Sequence, residues 1–177
     1  MKRFISFINP WKYATDEGYQ LVHSLYAIGT GGLFGVGLGN SKQKALYMPE
    51  PHNDFIFAII CEELGLIGAI IIISVFLVLI VAGINVAMRA KDKYGRLLAT
   101  GIISVIAVQV VINIAVVTGS MPVTGVPLPF ISYGGTSLVF NLAAIGVLLN
   151  ISSQTKTHKD EIQEKIERKR IKSKMNI

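Results

Sequence analysis

Asp54 is the residue best placed for acid–base chemistry, because it stands where a polar loop gives way to a long apolar run. On a helix that begins near Asp54, one stripe is small or acidic, since positions i, i+4 and i+7 share a face. A carboxylate beside an apolar membrane helix is costly unless it faces protein or a wet cavity. Asp54 is therefore our candidate general base. The stripe comprises Asp54, Ala58, Cys61, Glu62, Gly65 and Ala69.

Helix capping is the alternative role for Asp54. Asp and Asn are favoured N-caps, so Asp54 could cap a helix that begins at Phe55, and Asn53 could do so equally well. Neither residue completes a capping box, because Ile56 and Phe57 stand three positions later in place of Glu or Gln. The base and the cap interpretations both stay open on the sequence.

The loop before Asp54 carries side chains that could bind a diphosphate. Lysine binds phosphate as a compact point charge, and histidine is the side chain that changes charge near neutral pH. The alternative is a solvated basic loop whose histidine makes local hydrogen bonds. The residues concerned are Ser41, Lys42, Gln43, Lys44 and His52.

A second polar stretch, residues 127–137, surrounds a pair of glycines at a predicted helix start. Free backbone N–H groups at such a start suit an anion, which makes Ser132, Gly134, Gly135 and Ser137 further candidates for substrate binding. The alternative is a proline-stopped loop followed by a Ser/Thr cap. Glu62 and Glu63 are candidate supporting acids near the outer rim, or partners for external cations.

The composition favours a membrane protein. The chain has 177 residues, of which 51% are hydrophobic and only 16% are charged, less than soluble domains usually carry. The net charge of +6 does not indicate nucleic-acid binding, because the basic residues collect at 89–96 and after 156 instead of along an aromatic-studded face. The single cysteine, Cys61, excludes an internal disulfide framework.

The apolar runs predict an all-α integral membrane protein with three transmembrane helices and a large extracytoplasmic loop. About 20 apolar residues suffice to cross a bilayer, and the predicted spans are 55–88, 97–118 and 133–151. Residues 1–54 form the loop region, in which 19–29 is expected as a short interfacial helix, although 21–38 could instead cross. Gln109 and Asn113 are spaced to bond a neighbouring helix.

The basic residues predict the orientation. The 89–96 link and the tail 152–177 are separated by two spans and lie on one side, which the positive-inside rule makes cytoplasmic. The loop at 40–54 and the loop at 119–132 then share the external surface. Lys2, Arg3 and Lys12 would favour the inside, which requires 21–38 to cross.

Two long motifs resemble the SEDS family of bacterial cell-wall proteins (shape, elongation, division and sporulation), most closely its FtsW/SpoVE division branch. They are GYQLVHSLYAIGTGGLFGVGLGNSKQKALYMPEPHNDFIFAIICEELGLIG at 18–68 and MPVTGVPLPFISYGGTSLVFNLAAIGVLLN at 121–150. Members of that family have roughly ten membrane helices, and the chain resembles their last part. A chain that lacks the preceding helices is expected to be inactive by itself.

The resemblance implies a peptidoglycan glycosyltransferase that polymerises lipid II. Its catalytic aspartate lies in a P-E-x-H-x-D-F-I-F stretch, which maps onto Glu50, His52 and Asp54. It also implies a divalent cation, Mg or Mn, at an unknown site. The implied partners are lipid II, the undecaprenyl-linked glycan strand, a class B penicillin-binding transpeptidase, other divisome proteins and the bilayer, in the plasma membrane at the division septum.

Two other functions are compatible with the sequence. A lipid II flippase needs a polar path at mid-depth, for which Gln109, Asn113 and Asn141 are modest support. A non-catalytic divisome scaffold would use the basic tail to bind anionic lipid or a partner.

Overall fold

The computed structural model describes Phe7, Trp11, residues 18–41 and residues 54–154. Four helices occupy these ranges: α1 (Tyr19–Gly31), α2 (Ile56–Arg89), α3 (Lys93–Val117) and α4 (Gly135–Ser153). The described residues contain no β-strand. Helices α2, α3 and α4 are long and apolar enough to cross a membrane, which confirms the predicted all-helical fold with three such helices. Helix α1 has 13 residues, fewer than the roughly 20 that a crossing needs.

Helix α2 is interrupted at Gly65, where the sequence predicted one continuous helix. Gly65 has φ 66° and ψ −165°, a conformation that L side chains avoid and that glycine tolerates. The break removes two helical hydrogen bonds, those from the N–H groups of Leu66 and Ile67 to the carbonyls of Glu62 and Glu63. The continuous-helix expectation was wrong because a lone glycine inside an apolar run does not by itself reveal a break.

The glycine-rich loop after α1 replaces the lost bonds of α2. The N–H groups of Val36 and Gly37 donate to the carbonyls of Glu62 and Glu63, at 3.0 and 3.1 Å. In return, the N–H groups of Leu66 and Ile67 donate to the carbonyls of Gly32 and Leu33, at 2.9 and 3.4 Å. Four backbone hydrogen bonds therefore hold the loop inside the break and give the groups freed by it new partners, as an apolar environment requires.

Three glycines permit this close approach. A Cβ on Gly31 would lie 2.0 Å from the carbonyl oxygen of Cys61, and one on Gly35 would lie 2.1 Å from that of Glu63. A Cβ on Gly65 would lie 2.4 Å from the backbone nitrogen of Gly35. Within the glycine cluster of residues 29–39, Gly31 and Gly35 thus permit backbone-to-backbone packing.

Helices α2 and α3 form an antiparallel pair joined by a short link. Asp92 is the N-cap of α3, and its carboxylate accepts a hydrogen bond from the Gly95 N–H at 3.0 Å. Close packing brings Ile103 against Gly83, where a Cβ would lie 2.5 Å from the isoleucine Cδ1.

The apolar core lies between α1, α2, α3 and the loop before α4. Its members include Ala27, Phe57, Phe76, Val110 and Leu128. Helix α4 is mostly exposed, and its buried residues are Asn141 and Leu148. Large apolar side chains point outward on all three long helices, which is the surface expected of helices in lipid.

Replacing Gly65 with alanine should destabilise the fold by at least about 2 kcal/mol, because a positive φ costs an L residue roughly 1–2 kcal/mol and the new Cβ also meets Gly35. Gly101→Ala is the matched control, since nothing lies within 4 Å of a Cβ on this helical glycine and alanine favours a helix by up to about 1 kcal/mol. Thermal unfolding in detergent compares the two; equal Tm values would contradict the role of the break.

A candidate active site between two loops

Asp54 directly precedes the N-terminal end of α2. The N-cap of this helix is Phe55, and it makes no side-chain cap hydrogen bond. Asp54 therefore lies one residue before the cap position, and the capping interpretation is not the one that the structure adopts. The side chain of Asp54 is half-buried.

The small and acidic stripe of α2 faces the protein, as the helical spacing predicted. Ala58, Cys61, Glu62 and Ala69 are buried, and Gly65 is buried with them. Phe55 and Ile59, which lie off the stripe, are also buried at this end of the helix, because the loops cover more than one face there.

The loop between α3 and α4 reaches the Asp54 carboxylate. A Cβ built on Gly125 would lie 3.4 Å from the Asp54 Oδ2 atom, and Gly125 itself has φ +73°. Gly125 thus lies beside the Asp54 carboxylate, where a side chain in its place would contact Oδ2. Two polar stretches that are far apart in the sequence meet here, as the orientation argument predicted.

Asn113 of α3 joins the same two segments. Its Nδ2 donates to the carbonyl oxygen of Asp54 and to that of Val126, each at 2.8 Å. The expected partner of Asn113 was a neighbouring helix. The structure corrects this, because both acceptors are main-chain carbonyls outside the helices. Sequence spacing can place a polar residue on a helix face but cannot identify its partner.

A tight turn leads from this loop into α4. The Ser132 hydroxyl accepts a hydrogen bond from the Leu128 N–H at 2.7 Å, and the Ser132 N–H donates to the Leu128 carbonyl at 3.0 Å. Within the described ranges, Phe130 is the only non-glycine residue with positive φ, at 65°. Strained backbone of this kind costs of order 1–3 kcal/mol and clusters at functional sites.

The first turn of α4 has no side-chain cap. Its N-cap is Gly134 and makes no cap hydrogen bond, so the Ser/Thr cap that was the alternative for this stretch is absent. Ser137 lies within the helix, where its hydroxyl accepts from the Asn141 side chain at 3.3 Å. The N–H groups of the first turn therefore lack the side-chain partner that a capped helix would give them.

A cavity of about 450 Å³ opens at this helix end. It contains three of the predicted substrate-binding residues, Ser132, Gly134 and Gly135, and it reaches Ile56, two residues after Asp54. Its walls are otherwise apolar, a common composition for a ligand pocket. The lining residues are Ile56, Phe130, Ile131, Ser132, Tyr133, Gly134, Gly135 and Leu138.

Glu62 and Ser41 are joined beside the break in α2. The Ser41 hydroxyl donates to the Glu62 carboxylate, and Glu62 is only 1% exposed. Glu62 was expected near the outer rim, but it is buried because the inserted loop covers it. The neighbouring Glu63 is half-buried, and its Oε1 atom has no hydrogen-bond partner.

Five predicted site residues lie outside the described ranges: Lys42, Gln43, Lys44, Glu50 and His52. Among the residues that are described, no group of three or more His, Cys, Asp or Glu side chains could hold a metal ion.

The family model FTSW_RODA_SPOVE, described as a cell cycle protein, matches residues 1–157. The chain belongs to this family. The match covers both motifs that carried the resemblance, and it confirms the SEDS assignment.

Curated members of the family are similar over most of the chain. Stage V sporulation protein E of Bacillus subtilis is 58% identical over 152 residues, covering 86% of this chain and 42% of its own length. A protein of Coxiella burnetii named probable peptidoglycan glycosyltransferase FtsW is 51% identical over 158 residues, covering 88% and 42%. The chain thus spans about two fifths of the relatives that it matches.

Solved structures of the family share the fold. One comes from a study of the structural coordination of polymerization and crosslinking by a peptidoglycan synthase complex. It has a TM-score of 0.71 at 28% identity, and the match covers 86% of this chain and 41% of that one. A mutant of the rod shape determining protein RodA of Thermus thermophilus has a TM-score of 0.58 at 31% identity, covering 76% and 40%. Together with the three long apolar helices, family membership makes this a membrane protein.

Sequence reasoning missed Gly125 and Phe130 as parts of the site. Gly125 carried a detectable signal, because glycine within a proline-containing loop favours positive φ. Phe130 carried no such signal, because aromatic residues rarely adopt positive φ and the residue type therefore does not predict this turn.

Replacing Glu62 with alanine should lower the free energy of unfolding by about 1.5–3 kcal/mol, because the Ser41 hydroxyl loses a charged acceptor in a buried site. Glu62→Gln should cost less, since its amide oxygen can still accept. Glu63→Gln is the control and should stay within about 0.5 kcal/mol. Chemical or thermal unfolding of each variant measures the differences, and equal losses for Glu62→Ala and Glu63→Gln would exclude the Ser41 contact as a stabilising one.

Proposed function

We propose that this chain is the catalytic C-terminal part of a peptidoglycan glycosyltransferase that polymerises lipid II in bacterial cell division. The observation that carries the proposal is the position of Asp54, whose carboxylate lies beside Gly125 of the loop between α3 and α4 and two residues from Ile56, which lines a cavity of about 450 Å³. The relatives named peptidoglycan glycosyltransferase at about 50% identity support the same reaction class.

In the proposed reaction, Asp54 acts as general base. Its carboxylate accepts the proton of the 4-hydroxyl of the incoming GlcNAc, and the oxygen attacks the anomeric carbon of the growing strand. The bond from that carbon to the diphosphate breaks, and undecaprenyl diphosphate leaves with the bonding electron pair. The configuration at the anomeric carbon inverts. A half-buried carboxylate whose own carbonyl is held by Asn113 suits this role, because a base must be held within hydrogen-bond reach of the proton that it removes.

The cavity next to Asp54 is our proposed place for a polar part of the lipid-linked substrate. Its mostly apolar walls suit the lipid part of the substrate, and Ser132, Gly134 and Gly135 supply polar groups to its lining. Ser41, Lys42, Gln43 and Lys44 are proposed to assist with the diphosphate, and Glu50, His52, Ser137, Glu62 and Glu63 to support the site. A divalent cation remains part of the proposal, with ligands that lie at least partly outside the described residues.

The proposed partners follow the same reasoning. A class B penicillin-binding transpeptidase is favoured by the similarity to a protein in a peptidoglycan synthase complex, and other divisome proteins follow from the FtsW and SpoVE relatives. We propose the plasma membrane at the division septum as the location, with the C-terminal tail in the cytoplasm and the Asp54 site outside.

Lipid II transport receives less support from the structure. Two of the three polar residues that suggested a path make other contacts: Asn113 binds two loop carbonyls, and Asn141 binds Ser137 of its own helix. The Oε1 atom of the third, Gln109, has no hydrogen-bond partner among the described residues. No specific observation in the described ranges favours transport over polymerisation.

Asp54→Asn should lower the polymerisation rate by at least about 100-fold, because general-base catalysis typically contributes 10²–10⁴. The assay is glycan-strand synthesis from purified lipid II by the intact protein with its transpeptidase partner. Asp92→Asn is the matched control: Asp92 caps α3 at the opposite end of the helix pair, and asparagine caps equally well, so its rate should stay within about twofold.

Full polymerisation by the Asp54→Asn protein would overturn the proposed base. If strand synthesis persisted while lipid II translocation was lost, the transport function would be favoured over polymerisation. If neither changed, a scaffold role would be favoured.

A further inference from the structure

The carboxamide of Asn113 lies at the centre of the contact between the two loops. It is 1% exposed, and both of its described hydrogen bonds go to main-chain carbonyls of loop residues, Asp54 and Val126. These acceptors are 59 and 13 residues away in the sequence. One side chain therefore joins α3 to the residue that carries the proposed base and to the loop opposite.

The orientation of this amide is determined by its partners. Two carbonyl oxygens require a donor between them, and only the NH₂ end of the asparagine side chain can donate. The Oδ1 atom is buried and has no hydrogen-bond partner. A buried acceptor without a partner is unfavourable, so the site retains a polar residue that packing alone would not favour.

Two other buried asparagine and serine residues of the described helices bond within or between helices. Asn141 of α4 donates to Ser137 one turn earlier on the same helix. Ser24 of α1 donates to the carbonyl of Leu21 and to that of Val117 at the end of α3. Asn113 differs from both, because neither of its acceptors belongs to a helix.

The two bonds constrain the proposed base from both sides. One holds the carbonyl of Asp54 itself, which limits the main-chain rotation that would swing its side chain away. The other holds Val126, the neighbour of Gly125, and a Cβ built on Gly125 would lie 3.4 Å from the Asp54 Oδ2 atom. Loosening Asn113 would therefore separate the carboxylate from the loop that shields it.

We propose that Asn113 is a positioning residue for Asp54, which it holds against the Gly125–Val126 main chain in the geometry that proton transfer needs. This inference rests on the proposed function, in which Asp54 is the general base. Asn113 does not touch the reacting atoms. Its effect on the reaction passes through the Asp54 main chain.

The kinetic test compares Asn113→Ala with Asn113→Leu, which keeps a similar volume, and uses Asn141→Ala as the matched control in the intact protein. Both Asn113 variants should lower kcat roughly 10- to 100-fold, with KM for lipid II changed less than about threefold, because misplacing a catalytic group affects the chemical step more than binding. Asn141→Ala should keep kcat within about threefold.

A second measurement is independent of activity. Asp54→Cys is made in a Cys61→Ala background, so that position 54 carries the only thiol of this chain, and its rate of modification by a membrane-impermeant maleimide is followed by mass. Adding Asn113→Ala or Asn113→Leu should raise this rate at least about threefold, since local opening exposes the thiol. Adding Asn141→Ala should leave it unchanged.

The outcomes separate the two proposals. Unchanged kcat and unchanged labelling in folded Asn113 variants would overturn the positioning role, even where Asp54→Asn abolishes synthesis. Full synthesis by Asp54→Asn would overturn the proposed base, while faster labelling would still show that Asn113 holds the loop. If Asn113→Ala fails to fold, Asn113→Leu decides the question. If both fail to fold while Asn141→Ala folds, Asn113 is a structural residue and the positioning role is overturned.

Discussion

The need to satisfy backbone polar groups inside an apolar environment is the constraint on which this structure depends. Helix α2 is broken at Gly65, and each break in a membrane helix exposes N–H and C=O groups that lipid cannot bond. The loop after α1 meets this need with four backbone hydrogen bonds to residues 62–67. Because those bonds fix the loop, they also fix the direction in which the chain continues to Ser41.

A second set of main-chain contacts extends this arrangement to the site. Asn113 bonds the carbonyls of Asp54 and Val126, and Gly125 approaches the Asp54 carboxylate. Helix α3 thus supplies the rigid element from which both loops are held. Sites held by rigid elements keep functional groups more precisely than loops alone do.

The exposed apolar faces of α2, α3 and α4 fit the family's membrane setting. Side chains such as Leu77, Val111 and Phe140 are more than half exposed in this chain, and the chain corresponds to about two fifths of its curated relatives. The cavity beside the first turn of α4 has mostly apolar walls, with Ser132, Gly134 and Gly135 among its lining residues.

The sequence alone was sufficient for the fold class, the number of long apolar helices and the family, since hydrophobic runs and two long motifs are local signals. It also indicated that Asp54 and the 119–132 loop would share one surface, because two predicted spans lie between them in the sequence. Only the tertiary structure decided that α2 breaks at Gly65, that Phe55 and not Asp54 occupies the cap position, and that Asn113 binds loops instead of a helix. Each of these depends on which backbone groups come within bonding distance after packing, and residue type and spacing along one element do not contain that information.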